Sequence, residues 1–336
     1  MSARAIIFGC SGPALGAEES AFLRDADPWG FCLFARNCET PDQMRRLTDA
    51  LREAVGRDCP VLIDQEGGRV QRMRGPVWRD FMWTPKLRAG FAAEAVDEAL
   101  ALRFRLIAHE LAEVGVDVNA MPLLDVARPE TDPIIADRAL GATPEEVIRR
   151  GRIAVEALGA GGVAPILKHM PGQGRATGDT HTDLPRVAAP LEALRETDFA
   201  PFRAFADLAM GMTGHMVLEA LDPDAPATQS AACIRAIRED IGFGGLLMTD
   251  DLGMDALAGT PADRSAAALA AGCDVILHCN ATRDEAISSL SVVPELSGAA
   301  LSRAEVALAA RGGAQDFDPA EADARLKALT GEGADA

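Results

Sequence analysis

The chain has 336 residues, and 48% of them are hydrophobic, enough to bury one large core and within the range of a (β/α)8 barrel with insertions. Its net charge of −18 argues against nucleic acid and anionic membrane surfaces as partners. No window approaches the ~18 apolar residues of a membrane span, and the apolar stretch at the N-terminus is too short for a signal peptide.

Short apolar runs recur from one end to the other. Candidate strands are Ala5 to Phe8, Gly30 to Ala35, Val61 to Asp64, Asp117 to Ala120, Ala164 to Lys168, Met210 to Thr213, Leu246 to Thr249 and Asp274 to Leu277. Amphipathic helical patterns separate most of them. Pro41 to Val55 is one, opened by Thr40 as N-cap; Ala92 to Val114 is another, closed by Gly115. Eight β-then-α units imply parallel strands, in a barrel or a doubly wound sheet. Polar residues decide for a single-domain (β/α)8 barrel. Asp64, Lys168, His169, His215, Asp250 and Asp251 all fall at or just after strand ends, and a barrel gathers those ends around one mouth. Residues 1–312 read as the catalytic barrel. Residues 313–336 read as one helix, Pro319 to Leu329, and a fraying tail.

The seven cysteines are odd in number and form no CxxC. Several sit inside apolar runs, as in Phe31-Cys32-Leu33-Phe34. Free thiols in a reducing compartment are expected, hence a soluble, cytoplasmic protein. No His/Cys cluster has metal-ligand spacing, so neither a metal nor another cofactor is expected.

Four motifs carry chemistry. In Leu62-Ile63-Asp64-Gln65-Glu66-Gly67-Gly68-Arg69-Val70-Gln71-Arg72 a strand ends in an acid, two glycines allow a tight turn, and arginines follow. Asp64 could accept hydrogen bonds from substrate hydroxyls and Arg72 could donate them, or the two could simply pair. Lys168-His169-Met170-Pro171-Gly172-Gln173-Gly174-Arg175 leads into Asp179-Thr180-His181. Residues two apart on an extended segment share a face, so Asp179 could hold the His181 imidazole in one tautomer. In Met248-Thr249-Asp250-Asp251 two adjacent carboxylates point opposite ways. One could enter the mouth while the other supports the structure or caps a helix. Met212-Thr213-Gly214-His215 places a histidine at another strand end, where a satisfied core histidine is the plainer reading. Arg138 is a candidate clamp for anions or hydroxyls. Trp29, Trp78 and Trp83 could stack on a sugar, but core packing is expected of each.

In this order and spacing, I-D-Q-E-G-G-R-V-Q-R, K-H-M-P-G-Q-G with D-T-H, M-T-G-H and M-T-D-D-L-x-M resemble glycoside hydrolase family 3. The likeness is to its single-domain β-N-acetylglucosaminidases of the NagZ type and runs from about residue 5 to 300. The resemblance implies Asp250 as catalytic nucleophile, His181 as general acid/base and Asp179 as its partner. It implies that Asp64, Arg72, Arg138, Lys168 and His169 hold the N-acetylglucosamine unit, with His215 beside the nucleophile. The implied reaction is retaining hydrolysis of N-acetylglucosamine from cell-wall fragments such as muropeptides, with no obligate protein partner. Two alternatives share the barrel: phosphorolysis, because a histidine does not repel phosphate as a glutamate would, and a catalytically silent sugar-binding relative. The family motif usually reads P-G-H-G, and here Gln173 replaces its histidine. Finally, Arg69, Arg72, Arg74, Arg138, Lys168 and Arg175 lie in or beside the motif loops. They suggest a mouth that favours an acidic ligand, unless they serve the protein's own carboxylates.

Overall fold

A computed structural model describes residues 3–177 and 184–331. Eight segments form one parallel sheet: β1 Arg4–Phe8, β2 Pro28–Leu33, β3 Val61–Ile63, β4 Val118–Asn119, β5 in two pieces (Ala164–Pro165 and Leu167–Met170), β6 Met210–Thr213, β7 Leu246–Asp251 and β8 Val275–His278. Strand order begins at the first piece of β5, passes through β4, β3, β2, β1, β8, β7 and β6, and ends at the second piece of β5. The two ends of the sheet are therefore halves of one strand, and the sheet closes into a (β/α)8 barrel. The break falls at Pro165, which has no N–H to give. The next residue restores the contact, since Ile166 N donates to Asn119 O at 3.0 Å.

The strands are legible as apolar runs because both their faces are covered. Ile6 and Ile7, side by side on β1, are both fully buried, and β1 pairs in register with β8 as Ile6 with Ile276. Helices cover the outside. Pro41–Val55 forms as expected, its N-terminus closed by a capping box between Thr40 and Gln43. Ala93–Glu113 follows β3 and gives way at Gly115, whose φ of +76° suits glycine. The helix Pro319–Thr330 lies against Ala93–Glu113, with Arg325 paired to Glu98 at 2.6 Å and Leu326 buried. Among the described residues no helix is long and apolar enough to cross a membrane.

Some strand limits differ from the expected ones. β7 continues to Asp251, because Asp251 still pairs with Leu277 of β8. β5 continues to Met170, which places Lys168 and His169 inside the strand. Backbone pairing, not side-chain polarity, sets these ends: a solvated barrel mouth lets acids remain in the ladder. Trp29 and Trp78 are buried as expected. Trp83 is not: it is 46% exposed, at the rim of the loop after β3.

Candidate active site

The loop after β3 folds back as a small antiparallel hairpin, Gln65–Gly67 against Val70–Gln71. Gly67 and Gly68 turn it, with φ of +89° and +65°. A Cβ on Gly68 would sit 2.9 Å from Trp83 Cα, so the turn admits no side chain there. Buried Gln65 holds the return, its Oε1 accepting from Arg72 N at 2.8 Å and Met73 N at 3.1 Å. This hairpin is what brings Arg72 back to Asp64, with Nη2 3.0 Å from Oδ2.

Lys168, 2% exposed, reaches across the barrel from β5. Its Nζ lies 2.8 Å from Asp64 Oδ1 and 2.7 Å from Glu66 Oε1. Arg138 grips the other side of Glu66 as a fork, at 2.8 and 2.9 Å. Two carboxylates and three cations thus form one network. Burial pushes the Asp64 carboxyl up, but Lys168 and Arg72 outweigh it and hold it well below the usual carboxylate range. Burial likewise raises Glu66, and Arg138 and Lys168 overturn that, leaving it at about 2. Burial lowers Lys168, yet the two carboxylates keep its ammonium charged. Glu66 lies inside the first motif but was not assigned to the site from sequence.

His169 sits next along β5. Its Nδ1 lies 2.8 Å from Asp125 Oδ2. A carboxylate only accepts, so Nδ1 carries the proton and a neutral ring leaves Nε2 as an acceptor. Asp125 is fully buried and also accepts from Gln173 N at 2.6 Å. It therefore orients both His169 and the loop that follows. Sequence reasoning missed it. The available signal was one acid inside the apolar run Met121-Pro122-Leu123-Leu124-Asp125-Val126. Gln173 is buried beside His169 in the same cavity wall, its Oε1 set against Gly214.

The two acids of β7 have different surroundings. Asp251 is committed to the frame: Oδ1 accepts from Gly253 N at 3.0 Å and Cys279 N at 3.1 Å, and Oδ2 from Asn280 Nδ2 at 2.9 Å. It does not cap a helix, since Thr260 caps the next one. Asp250 Oδ1 accepts from Asp251 N at 2.8 Å. Among the described residues Oδ2 accepts no hydrogen bond. Behind them, His215 is fully buried, with Nδ1 2.9 Å from Thr228 Oγ1 and Nε2 3.1 Å from Asp251 O. Burial lowers its pKa against the opposing pull of Asp250, which keeps the ring neutral. Nε2–H then donates to the carbonyl, and Nδ1 faces the Thr228 hydroxyl, which also reaches Gly214 O at 3.0 Å.

Asp64, Arg72, Arg138, Lys168, His169 and Asp250 line one cavity of about 330 Å³ at the barrel mouth. His215 supports β7 from outside that lining. A second, more open cleft of about 860 Å³ adjoins it, sharing Cys279 and Asn280 as a wall. Asp179 and His181 lie outside the described residues. Among the described residues each of the six motif-loop cations faces a carboxylate of the protein. Arg69 pairs with Asp137 at 3.0 Å, Arg175 with Asp198 at 2.7 Å and Arg74 faces Asp80 at 3.6 Å. Arg72, Arg138 and Lys168 are already taken by Asp64 and Glu66.

The closed barrel gathers a strand-end carboxylate and converging donors and acceptors at its mouth, where enzymes of this fold carry their active sites. Residues 13–310 match the family model described as "Glycosyl hydrolase family 3 N terminal domain". The chain belongs to that family and is a glycoside hydrolase. A beta-hexosaminidase of Alkalilimnicola ehrlichii is 38% identical over 283 residues, covering 82% of this chain and 80% of its own length. A beta-hexosaminidase of Pseudomonas aeruginosa is 35% identical over 279 residues, with 82% of each covered. The crystal structure of native NagZ from Neisseria gonorrhoeae is similar with a TM-score of 0.86 at 27% identity, over 98% of each chain.

Proposed function

We propose that the enzyme is a retaining exo-β-N-acetylglucosaminidase that works on cell-wall fragments in the cytoplasm. The observation that carries this reading is the contrast between the two β7 acids. Asp251 has its oxygens tied by three donors, while Asp250 keeps Oδ2 without a partner among the described residues, in the wall of the cavity. A nucleophile needs one available oxygen held at a fixed angle.

In this reading Asp64, Arg72, Arg138, Lys168 and His169 receive the N-acetylglucosamine ring. Asp250 Oδ2 attacks the anomeric carbon as the bond to the leaving oxygen breaks, and protonated His181 gives that oxygen its proton. The neutral imidazole, oriented by Asp179, then takes a proton from water. The water oxygen attacks the same carbon and expels the Asp250 carboxylate. The beta-hexosaminidase names of the relatives agree with the sugar. One related structure is a complex of NagZ with N-trifluoroacetyl-D-glucosamine.

The test is turnover of a chromogenic N-acetylglucosaminide beside the matching glucoside, in phosphate and in phosphate-free buffer. Release of free N-acetylglucosamine from the first substrate alone, without need of phosphate, is expected. A glycosyl phosphate product would make the enzyme a phosphorylase, and preference for the glucoside would refute the substrate assignment.

A further inference from the structure

Behind Asp250 a line of contacts runs to a cation that the reaction above does not use. Arg36 sits in the single helical turn Ala35–Asn37, just after β2. Each of its three nitrogens donates: Nε to Cys10 O at 3.0 Å, Nη2 to Cys279 O at 3.1 Å and Nη1 to Asn280 Oδ1 at 2.7 Å. One side chain thus ties the segments that follow β1, β2 and β8, three neighbouring strands of the barrel. Its guanidinium also lies over the Phe34 ring at 4.9 Å, and Arg72, the partner of Asp64, lies over the same ring at 5.1 Å. Among the described residues no carboxylate is within ion-pairing distance of Arg36.

Asn280 passes the constraint on. Its oxygen must face Arg36, because a flipped amide would set N–H groups against a guanidinium that has only donors. That fixes Nδ2 toward Asp251 Oδ2, where it donates at 2.9 Å. Asp251 Oδ1 is held by Cys279 N and Gly253 N. With its carboxylate fixed by three donors, Asp251 has little freedom to rotate. Its own backbone N–H is what holds Asp250 Oδ1, at 2.8 Å.

We infer that Arg36 and Asn280 are positioning residues for the nucleophile. Arg36 orients the Asn280 amide, Asn280 locks Asp251, and the Asp251 N–H sets which oxygen of Asp250 faces the anomeric carbon. The inference rests on the reading of Asp250 as the nucleophile. It predicts a defect in the chemical step and none in sugar binding, since Asp64, Arg72, Arg138 and Lys168 are untouched.

The experiment compares wild-type enzyme with Asn280→Ala, Arg36→Lys and Arg36→Gln on a chromogenic N-acetylglucosaminide. It also measures competitive inhibition by free N-acetylglucosamine and the Tm of each protein. For Asn280→Ala, kcat should fall roughly 10- to 100-fold, the scale of a small misplacement of a reacting group. The inhibition constant for N-acetylglucosamine should stay within about threefold, as expected when ground-state binding is spared. Arg36→Lys keeps the charge and one donor, so it should retain more kcat than Arg36→Gln. Unchanged kcat in Asn280→Ala and Arg36→Gln would overturn the inference. So would a parallel loss of kcat, inhibitor affinity and Tm, which is what a simple loop brace would give. Retained turnover in an Asp250→Asn control would overturn the reading of Asp250 itself, so that control separates the two failures.

Discussion

The backbone N–H of Asp251 donates to Asp250 Oδ1 at 2.8 Å, so the second acid of the pair holds the first through its main chain while its own carboxylate braces the barrel mouth. The division of labour gives different outcomes for two isosteric substitutions. Asp250→Asn should abolish turnover, because an amide is a very poor nucleophile. Asp251→Asn keeps an acceptor for Gly253 N and Cys279 N but loses the ionic partner of Asn280. It should lose roughly 10- to 100-fold in kcat and still form the covalent intermediate. A mechanism-based fluorosugar followed by peptide mapping reads this directly. An adduct on Asp251, or on no carboxylate at all, would sink the assignment.

His181→Ala should lose most on substrates with poor leaving groups and least on aryl glycosides with good ones. A good leaving group departs without a proton, so removal of the donor costs little there. On poor leaving groups the loss should be of the order of 10²–10⁴-fold, the usual worth of general acid catalysis. Asp179→Asn should weaken the same step through the imidazole. Equal losses on both substrate types would show that His181 is not the acid.

Lys168 is the charge shared by buried Glu66 and partly exposed Asp64. Lys168→Met would leave Asp64 and Glu66 side by side without it, and breaking a buried pair in this way costs about 3–5 kcal/mol. The pH dependence has a definite sign. In the folded protein Glu66 is lowered to about 2, and Asp64 is lowered too; unfolded carboxyls titrate near 4. The wild-type network therefore contributes fully above about pH 4, and its contribution is lost as pH falls through the folded value. In the variant Arg72 and Arg138 remain, but without Lys168 the carboxyls are held down less and take up protons at higher pH. The deficit in stability should accordingly shrink between pH 7 and pH 4. Denaturant unfolding at the two pH values checks it, and an equal deficit at both would contradict the role given to Lys168.

Much of this was legible in the chain. All eight strands could be read because a parallel barrel buries both faces of each strand and leaves a plain apolar run. Asp64, Arg72, Lys168, His169 and Asp250 could be read as site candidates because they stand at or near the ends of those runs. Asp125, Asn280 and Arg36 could not. Arg36 and Asn280 are 244 residues apart, and Asp125 and His169 are 44 apart. No periodicity or local spacing links such pairs, because barrel closure alone brings them together. Polarity also misled at Trp83, where a large apolar ring stays exposed.

The same pairing bears on the ligand's charge. Six cations in the motif loops suggested a mouth that attracts carboxylates, as on a muropeptide with its lactyl group. Each of the six faces a carboxylate of the protein itself, and the tightest pairs are the least exposed. Arg138 and Lys168 are held by Glu66 at 2.8 and 2.7 Å, and Lys168 also by Asp64. An incoming carboxylate would have to compete with these partners, which are already desolvated and need no ordering. None of the six pairs with Asp250 or Asp251 among the described residues. Arg69 and Arg74 are half exposed, and pairs of that kind contribute little and fade with salt. The expected result is therefore a weak charge preference. Amidation of a muropeptide's carboxylates should change kcat/KM by less than about threefold at low salt, and added salt should alter little, since exposed ion pairs are worth only ~0–1 kcal/mol. A loss of more than about tenfold on amidation, reversed by screening, would correspond to ~1.4 kcal/mol. That would mean one of these arginines releases its protein partner to take the substrate's carboxylate instead.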